Sequence, residues 1–132
     1  MSVTSNTQNA RTLVATVANA AAGTTRGGVD LATKFGGFLT LQMVTGATAP
    51  TAQCICTVLV AHAATLPTLG SSGAVWKPIH TFGSGVVANI TTDQSVAIDP
   101  AIMQLSVEFT GNTGQVVTCE AYLSEFTSYT TV

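Results

Sequence analysis

From Phe38 onward the chain alternates apolar and polar residues in short runs, each broken by Gly, Pro, Asn or Asp. A period of two is the pattern of a half-buried β-strand, because successive side chains point to opposite faces; helical periodicity is nearly absent from this region. "FLTLQMV" puts Leu39, Leu41 and Met43 on one face and Thr40 and Gln42 on the other, and "GATAPTA" then ends the strand. "QCICTVLVAH" is apolar on both faces and reads as a central strand covered on both sides. In "VWKPIHTF" Pro78 cannot donate a ladder hydrogen bond and Lys77 suits a rim, so this is an edge or bulged strand. "VVANI" and "QSVAI" are two further short candidates, the second closed by Asp99-Pro100. At 132 residues the chain has the size of one ordinary domain with a real core. The expected fold is all-β: a single-domain antiparallel β-sandwich or jelly-roll-like barrel.

The clearest alternation lies in "MQLSVEFTGNTGQVVTCEAYLSE". Met103, Leu105, Val107 and Phe109 share one face of the first strand, and Val117, Cys119, Ala121 and Leu123 share one face of the second. A hairpin that merges these faces sets Phe109 opposite Val117 and Val107 opposite Cys119, with Asn112-Thr113-Gly114 as a three-residue loop and Gly114 in the left-handed position. The same register puts Ser106 and Glu120 on the wet face and Cys119 inside.

"RTLVATVANAAAG" fits either a helical stripe of Leu13, Val14, Val17, Ala18 and Ala21 or a strand with Leu13, Ala15 and Val17 facing in. The strand is the preferred reading. Polar "MSVTSNTQNAR" and "TSYTTV" lack periodicity and read as arms awaiting a neighbour, giving an N-terminal arm at 1–11, a domain at 12–125 and a C-terminal tail at 126–132.

Chemistry is sparse. Cys54 and Cys56 lie on one face of an extended strand with Cβ atoms about 6.6 Å apart, too far for a disulfide, which needs about 3.8 Å. His62 is about 26 Å along a straight strand from Cys54 and cannot share a tetrahedral site with it. A site drawing Cys56, Cys119 and His80 from separate strands remains as the only metal reading, beside that of three buried thiols acting as small hydrophobes. An odd cysteine count without a spaced framework points to a reducing compartment. The carboxylates Asp30, Asp93, Asp99, Glu108, Glu120 and Glu125 include no close pair in sequence, although the hairpin would bring Glu108 and Glu120 diagonally onto one exposed face. "GSG" at 83–85 falls short of a nucleophile elbow, and the "GG" pairs at 27–28 and 36–37 lack the setting of a phosphate loop and read as turns. Trp76, Tyr122 and Tyr129 would be the members of any sugar-binding platform. No catalytic residue, cofactor or metal is expected.

Only 8% of residues are charged, against about 25% in ordinary proteins, so small neutral side chains must cover the surface. Between Lys34 and Lys77 there is no charged residue, yet Gly46, Pro50, Gln42 and Gln53 interrupt the segment, and no apolar run long enough for a membrane-spanning helix occurs. The opening residues lack a basic run followed by an apolar core, so cytoplasmic synthesis is expected. Arg11, Arg26, Lys34 and Lys77 are scattered and the net charge is −2, which argues against direct nucleic-acid binding.

At "FGGFLTLQM", "WKPIHTFG" and "VEFTGNTGQVVTCEAYLSEFTS", over about residues 35–128, the chain resembles small virion proteins of tailed bacteriophages that decorate or cement the capsid shell. The resemblance implies a β-barrel or jelly roll without catalytic residues. It also implies location in the virion after synthesis in the host cytoplasm, a dimer or trimer, and partners among the major capsid protein or other virion proteins. Arg11, Trp76, Lys77 and Tyr129 are the side chains expected at such contacts. A tail, neck or fibre-associated component and a carbohydrate-binding β-sandwich module are the alternatives.

Overall fold

The computed structural model describes residues 4–131, and the side chains of residues 7–128. Among the described residues eight strands follow one another without a helix: β1 (Thr4–Asn19), β2 (Thr24–Asp30), β3 (Gly37–Thr45), β4 (Ile55–Ala61), β5 (Lys77–Gly83), β6 (Thr91–Ile98), β7 (Gln104–Thr110) and β8 (Val117–Thr131). They form two four-stranded antiparallel sheets, ordered β1-β8-β3-β6 and β2-β7-β4-β5. First pairs with last, β2 with β7, β3 with β6 and β4 with β5. This nesting is a long hairpin rolled into a sandwich, the jelly roll, and it satisfies the all-β expectation from the alternation. Of the consecutive strands, β4 and β5 alone share a sheet; every other connection crosses from one sheet to the other.

The two inner faces supply the core. Leu39, Leu41 and Met43 of β3, Val96 and Ile98 of β6, and Val117, Cys119, Ala121 and Leu123 of β8 close it from one sheet. Cys56 and Val58 of β4 with Leu105, Val107 and Phe109 of β7 close it from the other, all fully buried. β4 is central in its sheet and β5 is an edge strand with a register shift between Val58 and Leu59, as Pro78 and Lys77 foretold.

Four local readings are corrected. β7 and β8 do not form a hairpin: Val107 pairs with Gly27 and Val58, while Cys119 pairs with Val17 and Met43. Their apolar faces do meet, but across the sandwich, a relation that alternation cannot distinguish from pairing within one sheet. Asn112 is buried and anchors the crossover, its Nδ2 donating to the carbonyls of Asn19, Ala20 and Gln115 while its Oδ1 accepts from Asn19 Nδ2 at 2.6 Å. Gly114 takes the expected left-handed conformation (φ 80°), within this connection. On β1 it is Val14 that is buried, not Ala15 or Val17, because register shifts on either side of Val14 reverse the parity. Gly27-Gly28 is no turn but the middle of β2, where a Cβ on Gly27 would strike the Leu13 carbonyl of β1. "VVANI" forms the loop before β6, with Asn89 at φ 56°.

The outer faces differ. Residues 62–76 fold over the β2-β7-β4-β5 sheet, setting Leu69 against Gly28 and burying Trp76 and Ser106, the latter expected on the wet face. The opposite sheet shows Thr40, Tyr122, Asp93 and Ser95 to solvent. Phe109 is fully buried between the sheets, and Phe109→Ala is expected to lower the unfolding free energy by about 3–5 kcal/mol in denaturant titration. A loss below about 1 kcal/mol would contradict its place in the core.

Candidate functional site: two ends of the sandwich

The β1–β8 ladder runs from Thr4↔Thr131 to Asn19↔Val117, whereas β3 joins β8 only from Gly37↔Glu125 inward. Phe126 is still held by the Phe35 N–H at 2.9 Å and the Gly36 carbonyl at 3.0 Å; beyond it the sheet is reduced to two strands among the described residues, and residues 4–11 and 127–131 of the segments expected as arms are the two halves of this ribbon, residues 1–3 and 132 lying outside the described set. Residues 4–10 and 126–131 contain no charge and no proline. Edge strands are ordinarily blunted by such residues: β5 carries Lys77, Pro78 and a bulge, and β2 carries Arg26 and Asp30. The ribbon has register shifts but no chemical guard against another strand.

A buried carboxylate anchors its base. Glu125 has a fully buried side chain; its Oε1 accepts from Arg11 Nη1 at 3.2 Å and Asn9 Nδ2 at 3.3 Å, and its Oε2 is buried without a hydrogen-bond partner among the described residues. Burying a carboxylate is tolerated only with such compensation, so Arg11 is held by the fold. Further out, Thr127 Oγ1 donates to the Thr7 carbonyl at 3.1 Å.

At the other end, where β3 finishes, the 84–90 loop leaves Val86 and Val87 more than half exposed, with Ile90 and Val116 also open. This loop is fixed: Thr45 Oγ1 donates to the Val87 carbonyl at 2.6 Å and accepts from Ile90 N–H at 2.9 Å. The molecule therefore carries an apolar tip and, at its opposite end, a neutral ribbon. Neither was found from sequence. "VVANI" reads as a strand until its tertiary anchor on Thr45 is known, and the ribbon lacks any periodic signal.

The expected contact residues are not brought together. Arg11 is half exposed but committed to Glu125. Trp76 is buried, its Nε1 donating to the Thr68 carbonyl at 3.0 Å, and is corrected from a surface contact to part of the cover over the β2-β7-β4-β5 sheet. Lys77 is exposed at the start of β5 with Nζ on the Gly73 carbonyl at 2.6 Å. Tyr129 lies on β8 opposite Asn6, its side chain outside the described set. With Trp76 buried on one sheet and Tyr122 exposed on the other, no Trp76–Tyr122 sugar platform exists. Glu108 and Glu120 likewise fall on different sheets; Glu108 pairs with Arg26 Nε at 2.7 Å and Glu120 accepts from Thr16 Oγ1 at 2.9 Å.

Cys54, Cys56 and Cys119 are free and buried, while His80 sits on the exposed edge strand stacked with Phe82, so the Cys56–Cys119–His80 reading fails on placement. Among the described residues no group of three His, Cys, Asp or Glu could hold a metal ion. No described helix is long and apolar enough to cross a membrane. Burial pushes the Cys54 thiol up to about 11 and the Cys119 thiol up to about 12, and raises Cys56 as well with Cys54 and Cys119 beside it.

Two measurements test these environments. Iodoacetamide at neutral pH is expected to label no thiol in the folded protein and all three in denaturant; native labelling would place a cysteine at the surface. Because unfolded thiols ionise near 9 and the folded ones only at about 11 or 12, stability present below pH 9 is expected to fall as pH rises through that interval. For the ribbon base, Arg11→Met is expected to cost about 1.5–3 kcal/mol in denaturant melts, and an unchanged stability would make Arg11 a free surface cation.

No protein-family model matches the chain, and no curated protein matches it by sequence. Solved structures match by shape. The K3 cleaved adhesin domain of Lys-gingipain from Porphyromonas gingivalis W83 aligns with TM-score 0.56 at 11% identity, over 83% of this chain and 71% of that one. The structure of infectious bursal disease virus, Gx strain, aligns with TM-score 0.52 at 9% identity, over 92% of this chain but 32% of that one. The SPBc2 prophage-derived protein YomS matches over 92% of this chain and 96% of its own, at 14% identity and TM-score 0.44. Identities this low establish a shared architecture, and what this chain is similar to is the antiparallel β-sandwich.

Proposed function

We propose that the protein is a non-enzymatic virion structural component, a capsid decoration or cement protein that bridges major capsid proteins and stabilises the shell. The observation that carries this reading is the uncharged β1–β8 ribbon: beyond Phe126 no third strand pairs with it among the described residues, so its outer edges can take up a neighbour's strand, while Glu125 and Arg11 fix its base. Adding a strand to an exposed edge uses backbone hydrogen bonds for affinity and needs no charge. The tip of Val86, Val87, Ile90 and Val116 at the far end supplies a second, apolar contact, so one molecule can hold two neighbours. A surface with 8% charged residues suits a protein covered by neighbours more than one kept apart from them by repulsion. A dimer or trimer formed through these ends belongs to the same reading.

A protein that binds only the assembled state stabilises it by mass action, about 2.7 kcal/mol at a hundredfold excess over Kd, multiplied over repeated sites. Particles carrying the protein are therefore expected to withstand heating that disrupts particles without it. Deleting residues 1–7, which spares Asn9 and Arg11, is expected to weaken attachment while leaving the melting temperature of the free protein nearly unchanged. Full occupancy by the truncated chain would remove the ribbon from the mechanism. Equal stability of particles with and without the protein would replace the cement reading with a tail or neck role, in which a handful of copies per particle, not hundreds, would be found.

A further inference from the structure

The outer face of the β1-β8-β3-β6 sheet is open, and the register of its strands lays the outward side chains in rows. One row sets Phe38 between Ser124 and Ala97, and the next sets Tyr122 between Thr12 and Thr40. A third places Glu120, Gln42 and Asp93 side by side. Phe38 is 51% and Tyr122 40% exposed, and as diagonal neighbours on adjacent strands they stand about 7–8 Å apart. Tyr122 lies down along the sheet, because its hydroxyl comes within 3.5 Å of Thr16 Oγ1 on β1, which a ring standing off the sheet could not reach. The polar row is held in place: Thr16 Oγ1 donates to Glu120 Oε2 at 2.9 Å and Gln42 Nε2 donates to Asp93 Oδ1 at 2.8 Å. The second oxygen of each of these carboxylates has no hydrogen-bond partner among the described residues.

From this arrangement we infer that the face binds a neutral polysaccharide, an extended chain whose pyranose rings lay their C–H faces on Tyr122 and Phe38 and turn hydroxyls to Thr40, Glu120 and Asp93. The aromatic pair sets the first condition: a recumbent, solvent-open ring beside fixed acceptors matches a ligand with one apolar face and polar edges. Shape sets the second. Thr12, Ser124, Ala97 and Ser95 around the two rings are exposed and small, so no wall ends the platform and a chain can run on past it. Charge complementarity sets the third. Glu120 and Asp93 bring negative charge to this face, and among the described residues no cation answers it: Arg11 is committed to Glu125, Arg26 to Glu108, Lys34 acts on Asp30 of β2, and Lys77 starts β5 on the other sheet. An anionic chain is therefore repelled, whereas neutral hydroxyls find charged acceptors, which make the stronger hydrogen bonds. The inference stands apart from the proposed virion role, since the face lies between the ribbon and the apolar tip and occupies neither.

Affinity electrophoresis of the full chain through gels containing β-glucan, glucomannan, arabinoxylan or dextran is expected to show retardation by at least one of these neutral polymers, and none by the anionic polymers alginate and polygalacturonate. Because Tyr122 and Phe38 are half exposed, Tyr122→Ala and Phe38→Ala are expected to keep the native circular dichroism. In calorimetric titration with the retarding polymer, Tyr122→Ala should weaken binding by about tenfold or more, and Phe38→Ala by less. Val86→Ala, at the apolar tip, should bind as the parent does. No retardation by any of the four neutral polymers, tighter binding of alginate, or undiminished binding by folded Tyr122→Ala and Phe38→Ala would each overturn the inference. So would a dimer of the free protein that Tyr122→Ala splits, which would assign the face to a second copy of the chain.

Discussion

The pairing of β1 with β8 is the constraint on which the rest of this structure depends. It joins the two halves of the chain at their extremes, so every other pair must nest inside it, and a nested hairpin of this length buries its apolar faces only by rolling into two sheets. Most contacts are therefore distant in sequence, and local turns do little to fix the topology. What local chemistry does fix is the crossings: the Asn19–Asn112 hydrogen bonds bind the β1–β2 turn to the β7–β8 connection, and Gly27 lets β1 pass close over β2.

That constraint explains which parts of the fold were legible in the sequence. Leu39, Leu41 and Met43 declared their face by alternation alone, and Pro78 declared an edge, because both signals depend on one strand and its immediate setting. The faces of β7 and β8 were legible for the same reason, whereas their partners were not: alternation says which side of a strand is dry and nothing about which strand lies beside it. β1 misled by parity, since the register shifts around Val14 have no signature in "RTLVATVAN". Gly27-Gly28 misled because glycine marks a turn or a close approach of two backbones, and only the crossing of β1 decides between them.

The candidate site was less legible than the fold. Trp76 stood out as the lone tryptophan and was expected at an assembly contact, yet the 62–76 segment lays it against the sheet, where it is buried. Arg11 stood out as a cation at the base of an arm, and its role proved to be the neutralisation of Glu125, a residue more than a hundred positions away. The ribbon itself was read as two separate arms because "TSNTQNA" and "FTSYTT" carry no apolar alternation. Their order comes from pairing with each other on a platform provided by the sandwich, and a two-stranded ribbon without such a platform is marginal in water.

The central claim is that the ribbon is the element that attaches this rigid, charge-poor sandwich to its neighbour. Hydrogen exchange measured on the free protein and on the particle-bound protein tests it most directly, since ribbon amides beyond Phe126 have few packed neighbours when free and gain backbone partners if a strand is added. The account expects peptides covering residues 4–11 and 126–131 to slow markedly on attachment, while those of β4 and β7, already protected in the core, remain unchanged. Ribbon peptides that exchange at the same rate in both states, with new protection confined to the 62–76 cover, would contradict it.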